Sequence, residues 1–124
     1  FRKAIAHLVP KASESTYLAQ VYQALRIEVN EELDSLTEFL EQSYDSLLPG
    51  SRLVVMSYHS LEDRLVKNYL SKGNVEGTEE KDLFGNVLGL KFKSITKKPV
   101  TPSSEELKMN TRSRSAKLRI AEKL

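Results

Sequence analysis

The chain is 124 residues long, 40% hydrophobic and 29% charged, with a formal net charge of +2, the make-up of one globular domain or part of one. No apolar run approaches the roughly 20 residues of a membrane-spanning helix, and with no cysteine there is neither a disulfide framework nor a thiolate zinc site. The charge is uneven: residues 1–90 carry 9 Lys/Arg against 14 Asp/Glu, whereas residues 91–124 carry 10 against 3, a basic stretch that suits a polyanion such as nucleic acid or, more blandly, a lysine-guarded edge strand.

The first residues, Phe1 to His7, lack the long apolar stretch of a signal peptide and resemble the middle of a protein more than a natural start. Leu18, Tyr22, Leu25, Val29, Leu33, Leu36, Leu40, Tyr44 and Leu47 then recur at the spacing of an amphipathic helix. Ser13 or Ser15 can cap its start, and Pro49-Gly50 ends it. A single helix of that length is unusual in a small domain, so a break is expected near Asn30-Glu31. Gln23, Arg26 and Asn30 line the border of the apolar stripe, either facing a cleft or forming a solvated flank.

Arg52 to Ser57 is a continuous apolar run with two valines, expected to be a strand covered on both faces, as in a central parallel position. It delivers Ser57-Tyr58-His59-Ser60-Leu61-Glu62-Asp63-Arg64 to the start of a helix predicted over Leu61 to Leu70. In open α/β sheets, ligands bind at the carboxyl ends of strands, which makes this cluster the leading candidate site. Ser60, with Asp63 three residues on, reads as a helix cap close to a capping box. Leu61, Leu65, Val66 and Tyr69 are the predicted buried side. A histidine in the position of His59 can bond a ligand or hold a loop carbonyl. No G-x-S-x-G elbow accompanies Ser57 or Ser60, which argues against serine hydrolase chemistry.

Residues 71–90 hold four of the five glycines and read as loop, with a turn at Phe84-Gly85-Asn86. Phe92 to Thr96 predicts a strand. Ser103 with Glu106 marks a short helix ending near Asn110. In Thr111-Arg112-Ser113-Arg114-Ser115, two arginines with interleaved hydroxyls suit a phosphate backbone, or a loop tied down by arginine–carbonyl bonds. Ala116 to Glu122 alternates as a half-exposed strand, with Leu118 and Ile120 on one face and Lys117 and Arg119 on the other. No metal site is expected: His7 and His59 are the only histidines, and no HExxH, CxxC or EF-hand spacing occurs. The fold class is α/β. No Gly-rich turn of the kind that cradles a nucleotide cofactor is present.

Three blocks, taken together, resemble the ribosomal RNA small-subunit methyltransferase H family, also called MraW-like. Tyr22-Gln23-Ala24-Leu25-Arg26-Ile27-Glu28-Val29-Asn30-Glu31-Glu32-Leu33 is similar to F-Q-A-L-R-I-x-V-N-x-E-L. Pro49 through Arg64 is similar to P-G-G-R-L-x-V-I-S-F-H-S-L-E-D-R, and Lys98 through Lys123 to K-P-[IV]-x-P-[ST]-x-E-E-[IL]-x-x-N-P-R-S-R-S-A-K-L-R-x-A-E-K. Tyr22 and Tyr58 stand where phenylalanine is usual, Ser51 where glycine is, and Thr111 where proline is. Leu18-Ala19-Gln20 stands where the family often has A-T-R.

The resemblance implies a 16S rRNA (cytosine-N4)-methyltransferase that uses S-adenosylmethionine in the cytoplasm. Residues 1–124 would be the C-terminal part of one Rossmann-like class I methyltransferase domain, lacking the N-terminal half that binds the cofactor and therefore inactive alone. The strand ending at Ser57 would be the fifth of that sheet, with the two later strands as sixth and seventh, the last inserted antiparallel. Ser57 and His59 would act at the target amine. Tyr58 and Ser60 would line the base pocket, with Arg64 in the same block, and Arg26 and Asn30 would approach from the preceding helix. Arg112, Arg114 and Lys117 would touch RNA phosphates or brace the wall. A non-catalytic RNA-binding module, or a fragment that pairs with a second copy through an exposed sheet edge, are the alternatives.

Overall fold

The computed structural model describes residues 2–8 and 14–124, which divide into two units, Phe1–Ser35 and Leu36–Leu124. In the first, α1 (Arg2–Ile5) runs into a 3-10 turn (Ala6–Leu8), and α2 spans Glu14–Val29. Ser15 lies inside α2, one residue past its start, and Ser13 lies outside the described residues. The expected break is present. The Asn30 amide closes the last turn on Arg26, and Glu31 adopts a left-handed φ of 50° before α3 (Glu32–Ser46) begins. No described residue of this unit is buried, and Tyr22, Leu25 and Val29 all stay exposed.

The second unit is a mixed α/β arrangement built on a small antiparallel sheet. Its elements, after the later turns of α3, are β1 (Arg52–Ser57), α4 (Ser60–Lys72), β2 (Phe92–Ser94), α5 (Ser104–Met109), a 3-10 turn (Thr111–Ser115) and β3 (Lys117–Lys123). The strand order is β1-β3-β2. β3 is antiparallel to both neighbours, with Arg52 opposite Glu122, Ser57 opposite Lys117 and Phe92 opposite Lys123.

One face of the sheet carries the core. Leu53 and Val55 of β1, Ala121 of β3 and Phe92 of β2 pack with Leu40 of α3 and with Val66, Tyr69 and Leu70 of α4. The valine, leucine and phenylalanine side chains contribute about 1.5–3 kcal/mol each when fully buried. The Tyr44 ring meets the Phe92 ring edge-on at 5.7 Å between centroids. Lys123 closes the assembly: its Nζ donates to the carbonyls of Tyr44 (2.6 Å) and Leu47 (2.8 Å) at the end of α3, a favourable place for a cation, and lies 4.2 Å from the centre of the Tyr44 ring.

Three expectations are corrected. Among the described residues β1 is not covered on both faces: Val54 and Met56 are 52% and 53% exposed, because only its odd-numbered residues meet the helices. The buried side of α4 runs through Asp63, Val66, Tyr69 and Leu70. Leu65 is half-buried and Leu61 exposed, since the helix is rotated to bring a carboxylate, not a leucine, onto β3. On β3 the inward face is the one carrying Arg119 and Ala121, while Leu118 and Ile120 are half-buried. Charge misled the reading there, since Arg119 is buried together with its counterion.

The loop after α4 is pinned by its own polar groups. Gly73, with φ of 81°, is the left-handed C-cap, and a side chain there would collide with the Gly89 carbonyl. The Asn74 side chain accepts from the amides of Gly77 and Thr78. The expected turn at Gly85 is closed by Asp82, which accepts from the amides of Phe84 and Asn86, each at 2.8 Å.

Candidate functional site

The β1–α4 junction is set by Glu62. Its Oε2 accepts from the amides of Tyr58 and His59, both at 3.1 Å. His59, extended at φ −111° and ψ 145°, is the N-cap and forms a capping box with Glu62. The cap therefore falls one residue earlier than expected: Ser60 is the first helical residue, and Glu62 takes the part assigned to Asp63. Strand alternation then separates the cluster. Ser57 is buried, 6% exposed, on the core side, whereas Tyr58 is 53% exposed on the other.

Asp63 is freed for a different task. Its carboxylate accepts a two-point bond from Arg119, Nε at 2.7 Å and a terminal nitrogen at 3.1 Å, and a third from Lys117 Nζ at 3.1 Å. Burial pushes the Asp63 carboxyl up, but the hydrogen bonds and charges of Arg119 and Lys117 outweigh it and hold the group below the usual carboxylate range. The constellation ties the start of α4 to the start of β3. Composition alone could not reveal it; an aspartate at helical spacing from Val66 and Leu70 was the available signal.

On the outer face, Tyr58 borders a cleft of about 200 Å³. Met56, Val100 and Leu118 give it an apolar floor, and Glu106 and Asn110 give it polar groups. Val100 is fixed there by a two-way backbone exchange with Leu118, at 2.8 and 2.9 Å. Ser103 caps α5 by accepting from the Glu106 amide. Asn110 Oδ1 accepts from the Arg112 amide, and buried Ser113 donates to the Asn110 carbonyl at 2.7 Å. Those bonds shape the turn so that Arg112 and Arg114 stand exposed, with no ion pair among the described residues. Arg64 is exposed on α4. Sequence reasoning missed Glu106 and Asn110, which had served only as helix-end markers.

Arg26 and Asn30 lie in the first unit and converge on one carboxylate. Arg26 reaches Glu32 with Nε at 2.8 Å and a terminal nitrogen at 3.0 Å, and Asn30 Nδ2 donates to the same group at 3.1 Å. The pair thus spans the α2–α3 break.

The MraW methylase family matches residues 1–124, the whole chain. The chain belongs to that family. Among curated relatives, it is 54% identical to the ribosomal RNA small subunit methyltransferase H of Parabacteroides distasonis, over all of this chain and 40% of that protein. It is 51% identical to the protein of the same name from Flavobacterium johnsoniae, over 99% of this chain and 40% of that one. The chain thus spans about 40% of the length of these family members.

The family resemblance implies S-adenosylmethionine, and the described residues do not fit it. The cleft beside Tyr58, about 200 Å³, falls below the ~300–1,000 Å³ of ordinary small-molecule sites. The amides after β1, a natural cradle for a cofactor's polar groups, are taken by Glu62. Among the described residues no group of three His, Cys, Asp or Glu is placed to hold a metal, and no helix is long and apolar enough to cross a membrane.

Proposed function

We propose that the protein to which these residues belong methylates the N4 amine of a cytidine in 16S rRNA in the cytoplasm, with S-adenosylmethionine as methyl donor. In this reading residues 1–124 form the RNA-facing, C-terminal part of a Rossmann-like class I domain, and the donor is held by residues outside them. The observation that carries the reading is the family match over residues 1–124, supported by relatives named for ribosomal RNA methylation. The β1-β3-β2 order, with β3 antiparallel between its neighbours, agrees with a fifth, seventh and sixth strand in such a sheet.

The N4 lone pair of cytosine is delocalised into the ring, so the amine must be oriented in line with the donor and must lose a proton as the bond forms. An unstacked base meets both needs when an aromatic side chain covers one face and polar groups meet its edge. Exposed Tyr58 is the proposed stacking surface. His59, at the head of α4, is the proposed group at the base edge, Ser57, buried on the other face of β1 from Tyr58, is proposed to act from behind it, and Ser60 and Arg64 lie nearby on α4. Arg112 and Arg114 take phosphates, and Arg26 and Asn30 contribute from α2. Lys117, already bound to Asp63, braces the wall.

The test is methyl transfer from labelled S-adenosylmethionine to 16S rRNA by the full-length protein and its His59→Asn and Ser57→Ala variants. Asparagine is a good N-cap, so His59→Asn should keep the fold and lose activity. Full activity in both variants would remove these residues from the chemistry. A non-catalytic RNA-binding role, favoured by Arg112 and Arg114, which have no ion pair among the described residues, predicts RNA binding without transfer. Pairing of two copies through the open edge of β1 would give the 124-residue chain twice its monomer mass in solution.

A further inference from the structure

Residues 80–88 form a hairpin whose tip is held by its own polar groups. The Leu88 amide donates to the Glu80 carbonyl at 2.7 Å, and the Asp82 amide to the Asn86 carbonyl at 3.0 Å. The Asp82 carboxylate, already placed on the Phe84 and Asn86 amides, also accepts from Asn86 Nδ2 at 2.8 Å. Gly85 supplies a left-handed φ of 85°, which glycine adopts at no steric cost. Nothing in this frame needs an apolar side chain, yet Leu83 is fully exposed and Phe84 90% exposed on it. Two large apolar groups held in water by a hydrogen-bonded turn mark a surface that something else covers.

The charges on the hairpin and its approach narrow what that is. Residues 76–82 carry four carboxylates and one lysine. Glu79 is spent on Lys72 and Lys81, at 3.4 and 3.1 Å, but Glu76 and Glu80 are exposed, with no ion pair among the described residues. Such a rim repels RNA phosphates and suits a basic protein surface. The chain itself carries one of matching form. β2 ends the β1-β3-β2 order, so its outer edge is open among the described residues, and residues 91–98 hold four lysines and no carboxylate. Ile95 is exposed just past β2, between exposed Lys93 and Lys97, which have no ion pair among the described residues. Lysines on an open edge discourage indiscriminate strand pairing, yet they admit an acidic segment. An apolar tip with acidic flanks thus complements an apolar residue with basic flanks, and both stay exposed within one copy.

We propose that the hairpin of one copy docks on the β2 edge of a second copy and that the second copy's hairpin returns the contact. Such an exchange is the self-complementary interface of a two-fold dimer: Leu83 and Phe84 cover Ile95, while Glu76 and Glu80 face Lys93 and Lys97. The occupant is a second copy because both halves of the contact lie on this one chain. β3 separates that edge from β1, so the contact does not involve β1 and stands whether or not the methylation reading does.

The test is the mass of the full-length protein in solution, by light scattering at low salt. The wild type should be a dimer, and Leu83→Ser with Phe84→Ser should reduce it to the monomer. Two charge-reversed variants, Glu76→Lys with Glu80→Lys and Lys93→Glu with Lys97→Glu, should each be monomeric, because like charges then meet across the contact. Mixed in equal amounts, they should return to the dimer, since reversed hairpin meets reversed edge and native hairpin meets native edge. Every substituted side chain is exposed, and circular dichroism should show each variant folded. A monomeric wild type, a dimer indifferent to the substitutions, or a mixture that stays monomeric overturns the proposal. If Leu83→Ser with Phe84→Ser lowers the melting temperature and leaves the mass unchanged, the rest of the same protein covers the tip, and the proposal again fails. A dimer formed instead through the open edge of β1 would ignore all of these variants.

Discussion

Asp63 and Arg119 form a buried, two-point ion pair between the start of α4 and the middle of β3, at 2.7 and 3.1 Å, and both residues are at least nine-tenths buried. Breaking such a pair on one side leaves an uncompensated charge, at a cost of about 3–5 kcal/mol. Asp63→Asn should therefore lower the urea midpoint strongly. Replacing both partners by apolar residues of similar size should recover much of the loss. A stability change under about 1 kcal/mol for Asp63→Asn would contradict the central place given to this pair.

The same carboxylate sets an acid limit. The folded Asp63 titrates below its ordinary value of 3.8, so its contribution is fully present above that value and is lost as pH falls through the folded pKa. At the other end, burial pushes the Tyr69 hydroxyl above 10.0 despite the bond from Lys91. Unfolding therefore becomes easier as pH rises beyond 10.0, where the unfolded tyrosine ionises first. Urea melts across pH should show a plateau between these limits, and Asp63→Asn should remove the Asp63 contribution to the acid slope.

Much of this architecture was legible in the sequence. The helix break at Asn30-Glu31, the turn at Gly85 and the short helix capped by Ser103 all follow from local chemistry, because each depends on residues within a few positions of one another. What escaped reading was decided between segments far apart. Val54 and Met56 look like core until α3 and α4 are seen to cover only the face of β1 that carries Leu53 and Val55. Lys117 and Arg119 look like a solvated face until Asp63, 56 residues from Arg119, meets them. Glu106 and Asn110 carried no signal beyond helix boundaries until Val100 paired with Leu118 and folded them over β1.

Glu62 holds two backbone donors that would otherwise lack partners at the head of α4. Glu62→Ala should cost about 0.5–2 kcal/mol, the range for losing a helix cap, and should loosen Tyr58 and His59 together. Hydrogen exchange at those two amides is the direct readout: protection that persists in the variant would mean another acceptor holds them.

Arg112→Ala and Arg114→Ala should weaken RNA binding with little effect on stability, since neither side chain is buried. Each lost phosphate contact should reduce the slope of log affinity against log salt by roughly one for duplex-like RNA and less for single strands. An unchanged slope with unchanged affinity would make the turn a purely structural tie.

Because β3 lies between β1 and β2, the edge that each of those strands offers to β3 stays open until residues 117–123 exist. Arg52 pairs with Glu122 and Phe92 with Lys123, so during synthesis the β3-facing edge of β1 waits for most of the second unit to be made. Contacts that close over such long stretches of chain form slowly, and an apolar strand left open meanwhile invites association with other nascent chains. The time the chain spends between translating β1 and completing β3 is thus a vulnerable interval, and slowing elongation within it should lower the yield of folded protein.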